Sequence, residues 1–203
     1  MRVRLIIWLL VGLVVVISIS LAHAQVPPAA ATYRIAIKSA AQPVWGPVPP
    51  IAFLAAQVHQ ESAWRPQAHS PYARGLTQFT PETEAWIQQK YGVELGGGGA
   101  LDPQWALRAQ ARYMKDLHDQ LGGRNDCHAM LFALAAYNGG AGWINRDRAL
   151  AAKWGDDPLD YPMVRTHNSG RGESFWRENR EYPFRIAFRH QPLYRAWGGT
   201  RCL

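Results

Sequence analysis

Glu61 is the residue of this chain whose surroundings point most directly to chemistry. No other Asp or Glu occurs between it and Glu82. Leu54, Val58 and Glu61 follow at i, i+4 and i+7, which places Glu61 on the apolar face of a predicted helix. Burial there raises a carboxyl pKa, and a carboxyl that stays neutral near pH 6 can act as a general acid. The pattern alone also allows a Glu61 that ends a frayed helix and points to water.

Other catalytic and metal sites have no matching motif. The sequence around Glu61 is not a His-Glu-x-x-His zinc motif, and neither His59 nor His69 belongs to a cluster of ligands. No Gly-x-Ser-x-Gly is present, and the glycines 96–99 are not followed by the Lys-Ser/Thr of a phosphate-binding loop. We therefore expect neither a metal nor a cofactor.

The elements that must position Glu61 are helices. Thr80 and Asp102 are suited to cap helices, because each is followed by a proline that fits the first helical position. Alternating strand patterns are nearly absent, so the expected fold class is mainly α. Helices are predicted from Pro50 onward, from Pro81 to near Gly92, from Pro103 to Leu121, from Asp126 to about Tyr137, from Trp143 to Lys153, and in C-terminal stretches interrupted at Pro183.

The N-terminal residues 1–24 have the composition of an export signal. A basic start is followed by an apolar run, Leu5–Leu21, and by the small residues Ala22–Ala24 that a signal peptidase reads. Cleavage after Ala24 is expected. A retained anchor with inner-membrane association is the alternative, because the run approaches the length that spans a bilayer. In both cases the rest of the chain is expected in the periplasm or otherwise exported.

Two further segments follow the export signal. The Ala- and Pro-rich residues 25–48 are interpreted as a linker or arm, in which only 32–38 resembles a short strand. Residues 49–203 are long enough for a single domain with its own core. We expect this second segment to carry Glu61 and the rest of the site.

The charge of the chain favours an acidic partner. The net charge is +7, and it falls by two, to +5, when a signal containing Arg2 and Arg4 is removed. A basic protein suits nucleic acid, anionic lipid or an anionic cell-wall polymer. Export argues against nucleic acid as the partner.

The two cysteines, Cys127 and Cys202, permit one intramolecular disulfide in an exported protein. Closing so long a loop stabilises the fold by roughly 4 kcal/mol in the chain-entropy model. Two free buried cysteines are the alternative.

Three motifs, in this order and spacing, resemble the soluble type of lytic transglycosylase, a relative of goose-type lysozymes. The resemblance covers residues 49–185, and its third motif is the weakest. The motifs are Glu61-Ser62 with Ser70, Gly75-Leu76, Gln78 and Pro81-x-Thr83; Ala136-Tyr137-Asn138-x-Gly140; and Glu178–Tyr182.

This resemblance implies a lysozyme-like helical domain with a substrate cleft for peptidoglycan glycan strands. It also implies a route with one carboxylate, in which Glu61 protonates the β-1,4 glycosidic oxygen between MurNAc and GlcNAc. The carboxylate then takes the proton of the C6 hydroxyl, which closes a 1,6-anhydro ring on its own sugar.

The resemblance also suggests roles for five other residues. Ser70 and Gln78 would orient the acetamido and hydroxyl groups, and Tyr137 would hydrogen-bond Glu61 or the sugar. Asn138 would hold the cleft wall or the backbone, and Tyr182 would close the cleft from the C-terminal side. Packing roles remain open for both tyrosines.

The chain departs from the family pattern in two places. Thr77 stands where the family usually has Met, and residues 71–75 replace a more Gly-rich approach. These departures concern the preference of the cleft for particular substrates. Three alternatives remain: hydrolysis by a lysozyme or phage endolysin, a catalytically silent wall-binding component of a secretion apparatus, and a nucleic-acid binder that conflicts with export.

Overall fold

The computed structural model describes residues 26–203, which fold into helices joined by short loops. Within that range the only β-pairing is in isolated bridges that join His69, Arg74 and Phe79. The expectation of a mainly α fold is confirmed. The α-helices are α1 (Ala30–Trp45), α2 (Ile51–Ser62), α3 (Pro81–Leu95), α4 (Pro103–Leu121), α5 (Asp126–Gly139), α6 (Ala141–Lys153), α7 (Tyr161–Val164) and α8 (Glu173–Phe184). A π-helical segment, Arg185–His190, and a 3₁₀ segment, Gln191–Trp197, follow.

Side-chain caps explain where the middle helices begin. The Thr80 hydroxyl accepts a hydrogen bond from the backbone N–H of Thr83, and the Asp102 carboxylate accepts one from Gln104. Each cap satisfies a donor that the first helical turn leaves free. The predicted starts of α3 and α4 are therefore confirmed, and Asn125 caps α5 in the same way.

Helix α5 lies at the centre of the core. It is apolar on all sides, and residues 129–136 are buried throughout. A helix of this composition must be surrounded by other elements. It packs against α4, α6 and α8, while α2 packs against the C-terminal π-helical and 3₁₀ segments. Glu61 at the end of α2 is thereby set beside α8.

Residues 30–45 form a helix, which corrects both the linker interpretation and the predicted strand at 32–38. Ile37 and Ala41 are completely buried against α4, and the Trp45 indole donates to the backbone oxygen of Ala111 at 3.0 Å. The alanines favour helix and allow a close approach to α4. The alternation of apolar and polar residues in 32–38 does not mark a strand with one buried face, because the Ile35 side chain remains 80% exposed.

The C-terminal tail is fastened to the body of the domain. Cys127 and Cys202 form the expected disulfide. The Gly198 carbonyl accepts a hydrogen bond from the backbone N–H of Ala52, at 2.8 Å, in the first turn of α2. The tail therefore supports the helix that carries Glu61.

The predicted export signal, residues 1–24, lies outside the described residues. In the part of the chain that is described, none of the helices combines the length and the apolar character needed to cross a bilayer.

Candidate active site

Glu61 occupies the last turn of α2, and this helix end is fixed rather than frayed. Ala63 and Trp64, just after the helix, take left-handed backbone angles with φ of 49° and 64°. The Trp64 side chain is completely buried, and its indole N–H donates to the Tyr194 hydroxyl at 2.7 Å. Trp64 is therefore a core residue and not a platform for sugar. It holds the reversal of the chain directly after Glu61.

A chain of buried hydrogen bonds ends at the Glu61 carboxyl. Gln110 Nε2 donates to Gln57 Oε1 at 2.9 Å, and Gln57 Nε2 donates to the Tyr182 hydroxyl at 3.4 Å. Tyr182 in turn donates to Glu61 Oε1 in a short contact. Because Oε1 accepts this bond, the proton of the neutral acid belongs on Oε2. The carboxyl lines a cleft of about 600 Å³.

Burial raises the pKa of Glu61 to about 8. The hydrogen bond from Tyr182 opposes that shift, because it stabilises the carboxylate, and the negative charge of Glu178 adds to it. A group with this pKa is largely protonated at neutral pH. Glu61 can therefore donate a proton, and the carboxylate that remains is a stronger base than an ordinary glutamate.

Ser70 and Gln78 both line this cleft, as the sequence predicts. The Ser70 hydroxyl accepts hydrogen bonds from the N–H groups of Tyr72 and Ala73, and Gln78 Nε2 donates to the Gly75 carbonyl at 2.9 Å. Both side chains thus hold the loop that forms this wall. Their predicted contacts with substrate remain predictions.

Tyr137 and Asn138 also line the cleft, but Tyr137 does not hydrogen-bond Glu61. Its hydroxyl donates to the Thr77 carbonyl at 2.7 Å. Burial and the nearby Glu61 charge hold the pKa of Tyr137 well above its usual range. Asn138 Oδ1 accepts from Asn179 Nδ2 at 3.0 Å, which fixes this part of the wall.

The predicted role of Tyr182 needs correction. Its side chain is only 2% exposed and lies behind Glu61, so it does not close the cleft from outside. The sequence predicts a hydrogen bond from Tyr137 to either Glu61 or the sugar, whereas in the structure the hydrogen bond to Glu61 comes from Tyr182. The difference arises because α8 packs on α5 and brings Tyr182 against the end of α2.

Thr77 departs from the family pattern at a buried position. Its side chain is completely buried, and its hydroxyl has no hydrogen-bond partner among the described residues. The substitution for Met therefore alters the packing under the cleft rather than its surface.

Sequence reasoning missed a second carboxylate in the cleft. Glu178, on α8, lines the same cavity as Glu61 and forms an ion pair with Arg185. The available signal was its place as the first residue of the third motif, although no role was assigned to it. Residues 26–203 contain no group of three or more His, Cys, Asp or Glu side chains placed to hold a metal ion.

Comparison with solved structures gives the same fold. The 70 kDa soluble lytic transglycosylase SLT70 from Escherichia coli matches with a TM-score of 0.59 and 24% sequence identity. The match covers 80% of this chain and 24% of SLT70. A complex of the 70 kDa soluble lytic transglycosylase with bulgecin A matches with a TM-score of 0.57 and 25% identity, over 79% of this chain and 24% of that protein. The helical domain therefore has the lysozyme-like fold of SLT70.

Curated relatives are similar at the level of sequence. Membrane-bound lytic murein transglycosylase F 2 of Alkalilimnicola ehrlichii is 36% identical over 118 residues, which are 57% of this chain and 24% of that protein. Membrane-bound lytic murein transglycosylase F of Shewanella frigidimarina is 36% identical over 114 residues, which are 55% of this chain and 22% of that protein. The chain thus spans about a quarter of the length of these relatives.

The family model described as the transglycosylase SLT domain matches residues 47–158. This range covers more than half of the chain and includes Glu61, the loop with Ser70 and Gln78, and Tyr137. The chain therefore belongs to the transglycosylase SLT domain family.

Proposed function

We propose that this chain is an exported lytic transglycosylase that cleaves the β-1,4 bond between MurNAc and GlcNAc in peptidoglycan and forms 1,6-anhydroMurNAc. The observation that carries the proposal is Glu61, whose carboxyl has a pKa of about 8 and lines a cleft of about 600 Å³. The named activity of the relatives, lytic murein transglycosylases, supports the same reaction.

In the first step Glu61 Oε2 gives its proton to the glycosidic oxygen, and the bond between this oxygen and C1 breaks. Tyr182 stabilises the carboxylate that results, because its hydroxyl donates to Oε1. In the second step the C6 oxygen of the same sugar bonds to C1, and its proton passes to Glu61. The acid returns to its starting state, and water is not consumed.

The ring closure needs no bound nucleophile from the protein. The C6 hydroxyl belongs to the same sugar residue as C1, and an intramolecular reaction has a high effective concentration. The high pKa of Glu61 serves this step too, because a more basic carboxylate removes the hydroxyl proton more readily. One carboxyl group thus performs both proton transfers.

Hydrolysis is the second candidate, and the position of Glu178 favours it. Most glycosidases use two carboxyl groups, one of which activates water or attacks the sugar. Glu178 lines the cleft, but the Arg185 guanidinium holds its carboxylate, which leaves it less free to reach a water molecule or the sugar.

Product analysis separates these two reactions. Purified peptidoglycan is digested by the wild-type chain and by Glu178→Gln, and the released fragments are examined by mass spectrometry. We expect anhydro-muropeptides from both proteins. Fragments with reducing ends, and their loss in Glu178→Gln, would establish hydrolysis instead.

A catalytically silent wall-binding protein of a secretion apparatus is distinguished by the Glu61→Gln variant. If the chain acts only by binding, this variant retains its biological role. We expect it to bind the wall and release no fragments, with no complementation of the wild-type role.

Export of the chain is part of the proposal, with the periplasm as the compartment and peptidoglycan as the partner. Fractionation of cells that express the chain from Met1, followed by N-terminal sequencing, tests it. A mature protein that begins at Gln25 is expected. A membrane fraction that retains residues 1–24 would indicate an anchor, and cytoplasmic protein would reopen the nucleic-acid alternative.

A further inference from the structure

Two aromatic rings in the cleft wall are exposed to an unusual degree. Tyr72 is 78% exposed and Phe175 is 75% exposed, although both line the same cavity as Glu61. The other aromatic residues of this cavity are packed against partners. Phe79, for example, contacts the rings of Tyr113 and Tyr137. Among residues 26–203, no second aromatic ring and no cation packs against the ring of Tyr72 or of Phe175.

The backbone that carries Tyr72 is held in place. Ser70 N–H donates to the Ala73 carbonyl at 2.9 Å, which closes a turn around Pro71 and Tyr72. The Ser70 hydroxyl also accepts from the N–H groups of Tyr72, at 3.3 Å, and of Ala73, at 2.9 Å. Proline fixes one more backbone angle of this turn. The ring therefore projects from a rigid support.

The backbone that carries Phe175 is also held in place. It lies in the first turn of α8, next to Trp176. The Trp176 backbone N–H donates to the Gly172 carbonyl at 3.0 Å, and its indole donates to the His167 carbonyl at 3.0 Å. The start of α8 is thus anchored, and the neighbouring Phe175 ring remains free to meet a ligand.

We propose that Tyr72 and Phe175 are stacking platforms for sugar rings of the bound glycan strand and determine how tightly a long strand is held. The inference rests on the proposed function. The CH-rich faces of a pyranose pack well on flat aromatic surfaces. Tyr and Phe have few rotatable bonds, so ordering their side chains on binding costs little. Both residues lie outside the buried chain that ends at Glu61, so they act on binding and not on proton transfer.

The binding test uses the Glu61→Gln variant, which keeps the cleft occupied without turnover. Affinity is measured by calorimetry, with a β-1,4-linked GlcNAc hexasaccharide and with peptide-free glycan strands as probes. We expect Tyr72→Ala and Phe175→Ala each to weaken strand binding roughly five- to tenfold. Tyr72→Phe should retain the affinity, whereas Tyr72→Leu should not, because stacking requires the ring.

Trp154→Ala is the matched control. This residue is also 75% exposed, but it follows α6 and is absent from the cleft wall. It should leave affinity unchanged. Equal weakening by Trp154→Ala, full affinity in Tyr72→Leu, or no change in Tyr72→Ala and Phe175→Ala would each overturn the proposal.

Kinetics on peptidoglycan separate this inference from the proposed function. With Glu61 intact, Tyr72→Ala and Phe175→Ala should raise KM five- to tenfold and leave kcat within about twofold. If the wild-type chain releases anhydro products and the two variants match it in KM, only the stacking proposal fails. If the wild-type chain releases no product, the proposed function fails.

Discussion

The two sides of Glu61 differ in the way their polar groups are satisfied. Behind it, side chains bond to side chains in a buried series from Gln110 through Gln57 to Tyr182. In front of it, Ser70 and Gln78 bond mainly to the backbone of their own loop. The residues behind Glu61 (Gln110, Gln57 and Tyr182) are called the rear region, and the loop with Ser70 and Gln78 is called the front region. The difference indicates that the rear region sets the protonation state of Glu61, whereas the front region sets the shape of the cleft that meets the substrate.

The largest effect is expected from a variant that removes proton transfer by Glu61 and leaves the rear region intact. Glu61→Gln preserves an oxygen that can accept a hydrogen bond from Tyr182 but removes the acidic proton. We expect release of anhydro-muropeptides to fall by about a thousandfold or more, since general acid–base catalysis typically contributes 10²–10⁴. Glu94→Gln, an exposed change on α3, should retain full activity. Comparable residual activity in the two variants would contradict the assignment.

The Glu61→Gln variant also tests how much the buried carboxyl group lowers the stability of the fold. Because the folded-state pKa of Glu61 is raised to about 8 from an ordinary value of 4.5, folding retains a proton that the unfolded chain releases. Stability from this group is therefore lost as the pH rises from about 4.5 to 8. Glu61→Gln should raise Tm at pH 8 by a few degrees, and the difference should vanish near pH 4. A Tm difference that is independent of pH would contradict the raised pKa.

Tyr182→Phe tests the rear region directly. The Tyr182 hydrogen bond lowers the pKa of Glu61, so its loss should raise that pKa and move the alkaline limb of the activity profile to higher pH. The rate at pH 6 should fall about tenfold to a hundredfold, because the carboxylate formed during the reaction loses a donor.

Tyr194→Phe is the control for that change. Tyr194 is also a buried tyrosine, and its hydroxyl accepts from Trp64 and contacts His59 Nδ1 at 3.0 Å. This variant should lose stability without any movement of the alkaline limb. An equal shift in both variants would show that general packing, and not the Tyr182 hydrogen bond, sets the pKa.

Removing the disulfide tests whether the C-terminal tail stabilises the rear region. Replacing Cys127 and Cys202 together by Ser should lower the free energy of unfolding by about 2–4 kcal/mol. The tail that supplies the Gly198 carbonyl to α2 would then be held less firmly. Thermal unfolding should show a lower Tm. At temperatures below the unfolding transition, the alkaline limb of the activity–pH profile should stay where it is in the wild-type chain. An unchanged Tm would mean that the tail contacts alone suffice.

Much of this architecture was predictable from local sequence. Thr80 and Asp102 marked the starts of α3 and α4, because capping is decided by residues within one turn. The motifs also identified Glu61, Ser70, Gln78, Tyr137 and Asn138, which the fold brings together around one cleft.

What sequence reasoning missed depends on contacts between distant elements. Helix α1 was misread because alanine and proline are common in linkers as well, and only its packing against α4 distinguishes the two. The choice between Tyr137 and Tyr182 as the partner of Glu61 depends on how α8 packs. Residue spacing within one helix carries no information on such a placement.

The smallest expected effect comes from Glu178, at the border between the two regions. Its negative charge raises the pKa of Glu61, so Glu178→Gln should lower that pKa. The alkaline limb should move to lower pH by a fraction of a unit, opposite in sign to the Tyr182→Phe shift. Glu173→Gln is the control, because Glu173 pairs with Arg177 on the same helix and does not line the cleft. If Glu178→Gln abolished activity, the carboxylate would take part in the reaction, and the division between a rear region that governs proton transfer and a front region that shapes binding would no longer hold.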